Sequence, residues 1–515
     1  MKMTKLCGLV VACSLAFSGL VCCPTLHAAA PIPKVTGPIP VADDSYPFNA
    51  ASRSTVPQDL SRSGYIEEEY LVSGSANVYD LDSQGKAVVK TPDAPYTTRI
   101  LVRRPAAPES FSGTVVVELL NPTMRCDLDL QWQFSSEYFL ARKDVWVGIT
   151  SKPVAALALR AFDPKRYGTI SWANPVPADK TCDPVSPFND STKENENGLV
   201  WDMASQVGAL VKSNSPQSPL KGFSVKRAYL TGYSQTGGYL MPYINFIRPL
   251  PTATLASGKP VYDGYLIGDG EGMGPPLNQC GAPAPPGTPL SIIQPRSEPV
   301  ISLVTQCLLG LTLPARRPDS DSPGDRYRRY EVPGAAHITP TVGPQMVRPE
   351  DAAKAGVKGP PPNCKELSTY GMTDFPLEYF MDAAFANLDE WVRSNTPPPK
   401  AAVINAKAAP GMPIALVESD KYGNAIGGIR CSYLEVPVAT YHANSTPGDP
   451  ASMLPCLLSG YKVPLSKDSL ATLYPTHEAY VKKVVENVDG LVKERLLTKT
   501  DGEKIKKEAA AAAVP

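Results

Sequence analysis

The chain has 515 residues, with 50 Lys plus Arg against 50 Asp plus Glu, 43% hydrophobic residues and 19% charged ones. That balance excludes a protein held by charge on nucleic acid or on an anionic membrane, and the apolar share is enough for a sizeable core. With 55 Pro and 38 Gly, the chain reads as one large domain or two, with long ordered loops rather than a helical bundle.

Residues 1–30 read as an export signal. Lys2 and Lys5 precede an apolar run from Leu6 to about Cys23, and Ala28-Ala29-Ala30 offers small residues for cleavage. The run is short for an anchor, and neither Cys22 nor Cys23 follows the small residue that lipid attachment prefers. No later stretch offers the ~18 uninterrupted apolar residues of a membrane span, so the mature chain is expected to be soluble. Export favours disulfides. Of 11 Cys, those beyond the signal are Cys126, Cys182, Cys280, Cys307, Cys364, Cys431 and Cys456, an odd set that leaves at least one unpaired. Cys431 with Cys456 is the most local pairing, and Cys126 with Cys182 would join two loops on one sheet edge; spacing alone does not decide. No CxxC pair or His–Cys cluster has zinc spacing, so no metal and no cofactor is expected.

After a Pro-rich start, 65–79 and 96–104 alternate as strands do, joined by a turn at Ser83-Gln84-Gly85. The continuous apolar runs at 113–120 and 145–150 predict buried parallel strands, with a helix over 128–142 between them. Residues 151–197, rich in Pro and Asp, read as a long loop shaping the mouth of a site. A helix is expected over 199–213, a strand over 227–232 and a helix over 235–246, then strands at 262–268, 299–305 and 325–332. The Gly/Pro-rich 269–296 reads as a rim. A helix over 377–393, before Pro397-Pro398-Pro399, closes a main domain of residues 31–400. Residues 401–515 form a C-terminal extension packed on it, with helices between 466 and 492 and a frayed end from Ala509. Strands alternating with helices predict an α/β fold, a mainly parallel sheet with helices on both faces.

The chemistry centres on Tyr229-Leu230-Thr231-Gly232-Tyr233-Ser234-Gln235-Thr236-Gly237-Gly238, an apolar strand that stops at a serine and turns into a helix. This is the pattern of a nucleophile elbow, where strand and helix nearly touch and small neighbours are needed. Gly232 meets that need, while Thr236 stands where a second glycine is usual. A nucleophilic Ser234 needs a base, a carboxylate that orients the base, and donors for the oxyanion. Three histidines lie beyond the signal. His337 follows the last sheet strand in the small-residue turn Gly334-Ala335-Ala336, where a base would reach Ser234. His442 lies in the extension, and His477, beside Pro475 on an amphipathic helix, reads as structural. The oxyanion donors would be the backbone N–H of Gln235 and one from Asn121 or Thr123; Pro122 has none. Asn121-Pro122 is equally a plain turn signal.

The blocks RILVRRP (99–105), GTVVVELLNPT (113–123), VWVGIT (145–150), TGYSQTGGYL (231–240), YDGYLIG (262–268), RRPDSD (316–321), RYRRYEVPGAAH (326–337) and YGNAIGGIR (422–430) together resemble a bacterial alpha/beta hydrolase-domain family of often secreted proteins. The resemblance covers nearly the whole mature chain. It implies the alpha/beta hydrolase fold, with Ser234 at the family nucleophile and His337 at the family histidine. In one place the chain departs from the pattern. After the strand at 299–305 the family carries a carboxylate in a Thr-Glu-x-Asp-like segment, where this chain has Thr305-Gln306-Cys307-Leu308. Gln306 can accept a hydrogen bond from an imidazole but brings no charge to stabilise an imidazolium. Asp269 and Glu271, just past the strand at 262–268, or Asp319 and Asp321, before the His strand, are the replacements in view. Asp319 and Asp321 read more simply as partners of Arg316, Arg317 or Arg326, and Asp269 is the expected acid. The expected activity is carboxylic-ester hydrolysis through an acyl-enzyme on a small-molecule ester, with acyl transfer as its variant. A hydrolase-fold binding protein without turnover is the competing class. Trp172, Tyr233 and Tyr239 suit an apolar or aromatic ester, or only pack.

Overall fold

The computed structural model describes residues 29–514 apart from 185–190, 283–284, 286, 358–360 and 410–413; residues 1–28 of the expected export signal lie outside it. Ten strands form one sheet: β1 (Lys34–Thr36), β2 (Tyr65–Leu81), β3 (Ala87–Pro105), β4 (Thr114–Leu120), β5 (Val145–Thr150), β6 (Arg227–Tyr233), β7 (Gly264–Gly268), β8 (Val300–Thr305), β9 (Ser320–Ser322) and β10 (Asp325–Val332). Their order is β1-β2-β3-β5-β4-β6-β7-β8-β10-β9. From β5 to β10 neighbouring strands run parallel, and antiparallel strands flank them at both edges. Every residue of β4, β5, β7 and β8 is buried, which is why these segments read as unbroken apolar runs instead of alternating.

Helices α1 (Leu130–Arg142), α2 (Pro153–Phe162), α3 (Val200–Val211), α4 (Gln235–Pro242), α5 (Leu377–Ser394), α6 (His477–Lys493) and α7 (Lys499–Ala511) pack around the sheet. Side chains alternate along β3, so its two faces can be told apart. Arg103 reaches Asp129 at the start of α1 (2.6 Å), whereas Tyr96 donates to Gln206 of α3 (2.7 Å) on the other face. Helices therefore cover both faces, and α5 joins α1 through Phe139 and Phe385, 5.0 Å apart. The buried arginines of RILVRRP are ties. Arg99 bridges Glu69 (2.5 Å) and Asp127 (3.1 Å) and donates to the Phe48 carbonyl. A buried charge kept in this way needs every partner, and these partners fix the 121–129 loop against β3.

Three expectations are corrected. The stretch read as one long loop contains α2 and a further turn, Pro164–Tyr167, because Pro153 at the first helical position is followed by the apolar run Val154 to Leu159. The end expected to fray is helical to Ala511; Ala509 is buried, and His477 reaches the carbonyls of Ala510 (3.2 Å) and Val514 (2.9 Å). The disulfides are Cys182–Cys280 and Cys364–Cys456, while Cys126, Cys307 and Cys431 are free and buried. Neither pairing read from the sequence forms, because the partners are brought together by loops 98 and 92 residues apart. The core continues without a break into residues past 401, where Leu434, Tyr441, Val484 and Val488 belong to it.

Glu118 lies wholly buried in β4. Burial pushes its carboxyl up to about 8 against donors from Gln131 N, Trp132 N and Trp146 Nε1, and Asp129 adds to the rise. The folded chain thus keeps a proton that the unfolded chain releases from its ordinary 4.5 upward. Folding stability is expected to fall as pH rises between those values, by at most about 1.4 kcal/mol per pH unit. Denaturant midpoints at about pH 5.5 and about pH 8 check the sign; a higher midpoint at the alkaline end contradicts it.

Candidate active site

The elbow forms where β6 gives way to α4. Ser234 sits at φ 59, ψ −123, a region an L-residue occupies only when its surroundings hold it there. Its N–H donates to Gly268 O (2.8 Å) and its carbonyl accepts from Gly238 N (2.9 Å). A Cβ at Gly232 would lie 2.5 Å from Thr236 O, and one at Gly237 would lie 2.4 Å from Gly268 O. The close approach thus falls at Gly232 and Gly237. Position 236 tolerates threonine because its hydroxyl turns inward, lying 3.2 Å from both Tyr233 N and Tyr233 O.

His337 follows β10 after the turn at Gly334. Its N–H donates to Leu458 O (3.1 Å) and its ring stacks on Tyr233 with centroids 4.7 Å apart. The Tyr233 hydroxyl donates to His337 O (2.9 Å). His337 Nδ1 meets Asp269 Oδ2 at 2.5 Å. Asp269 is wholly buried just after β7 and also accepts from Thr305 N (2.8 Å) and Thr305 Oγ1 (2.6 Å). An Nδ1–H given to the carboxylate leaves Nε2 as the ring's free lone pair.

The carboxylate that His337 meets thus lies after the neighbouring strand rather than at position 306. Strands β7 and β8 lie side by side, with Gly268 opposite Leu303, so Asp269 and the end of β8 share one edge of the sheet. Gln306 instead accepts from Gly334 N (2.7 Å) and braces the turn that carries His337. Glu271 is buried in a separate network with Ser302 (2.7 Å), Tyr327 and Arg329. Asp319 and Asp321 do pair with an arginine, but with Arg328, at 3.0 and 2.5 Å, rather than the three named from the sequence. His442 stacks on Tyr461, 4.4 Å away, and burial lowers its pKa. Burial also pushes the nearby Cys307 thiol well up, which removes it as a nucleophile.

The oxyanion side is less direct than the sequence implied. Gln235 opens α4, so its N–H lies among the helix's unspent donors. Asn121 and Thr123 have both used theirs: Asn121 N donates to Leu128 O (2.8 Å) and Thr123 N to Asn121 Oδ1 (2.8 Å). Asn121 also ties the loop to the elbow through Nδ2 to Tyr233 O (2.8 Å). Met124, which sequence reading missed, lines the cavity that Ser234 faces, and among the described residues its N–H has no protein acceptor.

Ser234, His337 and Tyr233 open on one cavity of about 950 Å³. Its walls are mostly aliphatic and come from the 121–130 loop, the segment after His337, and two stretches around 361–372 and 449–459. The Cys364–Cys456 disulfide cross-links those last two stretches. Trp172 and Tyr239 are buried away from the cavity, Tyr239 against Trp201, so Tyr233 is the one aromatic of the expected three that faces it.

A family model described as an alpha/beta hydrolase domain matches residues 35–507. The chain belongs to the alpha/beta hydrolase domain family. No curated protein matches the sequence. Among solved structures, this alpha/beta hydrolase is similar to Thermogutta terrifontis esterase 2 phosphorylated by paraoxon at 12% identity, over 55% of this chain and 96% of that one, with a TM-score of 0.27. A structure titled a novel bacterial esterase matches at 10% identity, over 52% and 85% of the two chains, with a TM-score of 0.22. The siderophore hydrolase EstB from Aspergillus nidulans matches at 15% identity, over 48% and 73%, with a TM-score of 0.20. Among the described residues, no helix is long and apolar enough to cross a membrane.

Proposed function

We propose that this alpha/beta hydrolase is an exported serine esterase that cleaves carboxylic esters with bulky apolar groups. The observation that carries the reading is the buried Asp269–His337 contact, set behind a cavity that Ser234 also faces. Ser234 Oγ attacks the ester carbonyl while His337 Nε2 takes its proton. Gln235 N–H and Met124 N–H receive the oxyanion. The tetrahedral adduct collapses, the C–O bond to the alcohol breaks, and the alcohol leaves with the proton held by His337. Water then attacks the acyl-enzyme, with His337 again as base, and the acid is released as Ser234 recovers its proton. Asp269 keeps the imidazole in the required tautomer and balances its charge. Gln306, the one residue that favoured a binding protein without turnover, accepts from Gly334 N instead of from the imidazole.

The aliphatic walls fit an apolar acyl or alkyl group better than a sugar or a peptide. The two disulfides and the N-terminal signal pattern support work in an oxidising compartment. A fluorophosphonate probe is expected to add one adduct per chain, on the peptide containing Ser234. Folded protein that takes up no probe would refute the reading.

The Cys364→Ser/Cys456→Ser double variant is expected to lose about 2–4 kcal/mol of stability. It should also lose selectivity for bulky over short esters, because the two cavity walls are no longer clamped. Unchanged denaturant midpoints and an unchanged ester profile would show that the clamp does neither.

A further inference from the structure

A second cavity, of about 330 Å³, lies between α1, α5 and α7, behind the loop that follows His337. Trp132 and Phe134 line it from α1, Glu378, Tyr379 and Asp382 from α5, and Lys504 from α7. We propose that this cavity is a binding site for a small organic ammonium ion, held by Asp382 and Glu378 with its carbon chain against the aromatic wall. The site stands independently of ester hydrolysis.

Asp382 is 4% exposed, and its Oδ1 has no hydrogen-bond partner. The buried Ser135 hydroxyl lies beside Asp382 and eases the rise of its carboxyl. Glu378 stands one helical turn before it, so both carboxyls lie on the same face of α5. Neither makes an ion pair among the described residues. The cations nearby are already committed: Lys504 bridges Glu137 (2.8 Å) and Asp501 (3.1 Å), and Arg103 bridges Glu67 (2.7 Å) and Asp129 (2.6 Å). From α7, Lys504 lowers both Glu378 and Asp382, while Asp501 and Glu508 add negative charge toward Glu378 and Asp501 does so toward Asp382. Burial pushes Glu378 up to about 7 and Asp382 well above the carboxylate range. An interior that keeps such groups without partners gives up stability, which is the common cost of a binding site.

The ligand chemistry follows from what is missing. An ammonium group supplies the absent positive charge and up to three donors. Two carboxylates beside aromatic rings are too few oxygen ligands for calcium, and among the described residues no cluster of three acidic, His or Cys side chains is placed for a metal. Phe134 also packs at a tilt on Tyr233, ring centroids 4.8 Å apart, and Gln133 accepts from Gly343 N (2.7 Å), so an occupant would sit directly behind the His337 loop.

The test is calorimetric and thermal titration of the full mature protein with butylammonium at about pH 8, with butanol as the neutral match and calcium as the metal control. Saturable binding of butylammonium and a rising melting temperature are expected, with neither effect from butanol or calcium. Asp382→Asn and Glu378→Gln should each melt higher than wild type when unliganded and lose the response at least ten-fold. If a variant fails to fold, the wild-type affinity at about pH 5.5 serves instead, and should be at least ten-fold weaker than at pH 8, because Glu378 regains its proton. No saturable binding, equal binding by both variants, an equal response to calcium, or a pH-independent affinity overturns the proposal.

Discussion

Ser234→Ala is expected to lower kcat/KM for an activated ester such as p-nitrophenyl octanoate by about 10⁴-fold or more. The loss should not come from unfolding. The backbone bonds that hold the elbow, Ser234 N to Gly268 O and Gly238 N to Ser234 O, do not involve the hydroxyl. Its Oγ makes no hydrogen bond among the described residues, so the denaturant midpoint should move by less than about 0.5 kcal/mol. A variant that keeps a tenth of wild-type turnover would place the nucleophile elsewhere.

The second large effect separates the two residues that compete for the acid's role. Asp269→Asn should lower kcat by about 10⁴-fold while leaving KM within a few-fold, because an amide offers an N–H where the imidazole needs an acceptor and favours the wrong tautomer. Thr305, which donates to both Asp269 oxygens, would keep the asparagine in place, so the loss is electronic rather than a collapse of the site. Gln306→Glu, which restores the residue type expected after β8, should leave turnover within about two-fold, since the side chain still accepts from Gly334 N and does not reach His337. A large gain from Gln306→Glu, or full activity of Asp269→Asn, would reverse the assignment. Measuring kcat and KM separately on both variants makes the contrast plain.

What the sequence made legible follows from which interactions are local. Strand β5 begins and ends where its apolar run does, because a parallel strand buried on both faces needs no alternation. The elbow was readable for a similar reason, since Gly232 answers a contact with Thr236, within the same turn. Asp269 was only the preferred one of several acids, because its partner lies 68 residues on and the two meet only through the neighbouring ends of β7, β8 and β10. The spent N–H groups of Asn121 and Thr123 were invisible, as they depend on Leu128 and on a side chain folding back within the loop. The cavity walls around 361–372 and 449–459 carry no motif, and only the fold brings them opposite Ser234. Disulfide pairing failed for the same reason, because proximity in sequence is a poor guide where long loops set the contacts.

The central claim is that Ser234 carries the acyl group between two half-reactions. Rapid mixing of the mature protein with p-nitrophenyl octanoate tests it directly. The account predicts a burst of p-nitrophenol equal to the concentration of folded chains, followed by slower turnover, with an octanoyl adduct on the Ser234 peptide after acid quench. Steady release with no burst and no adduct on Ser234 in quenched samples would contradict it.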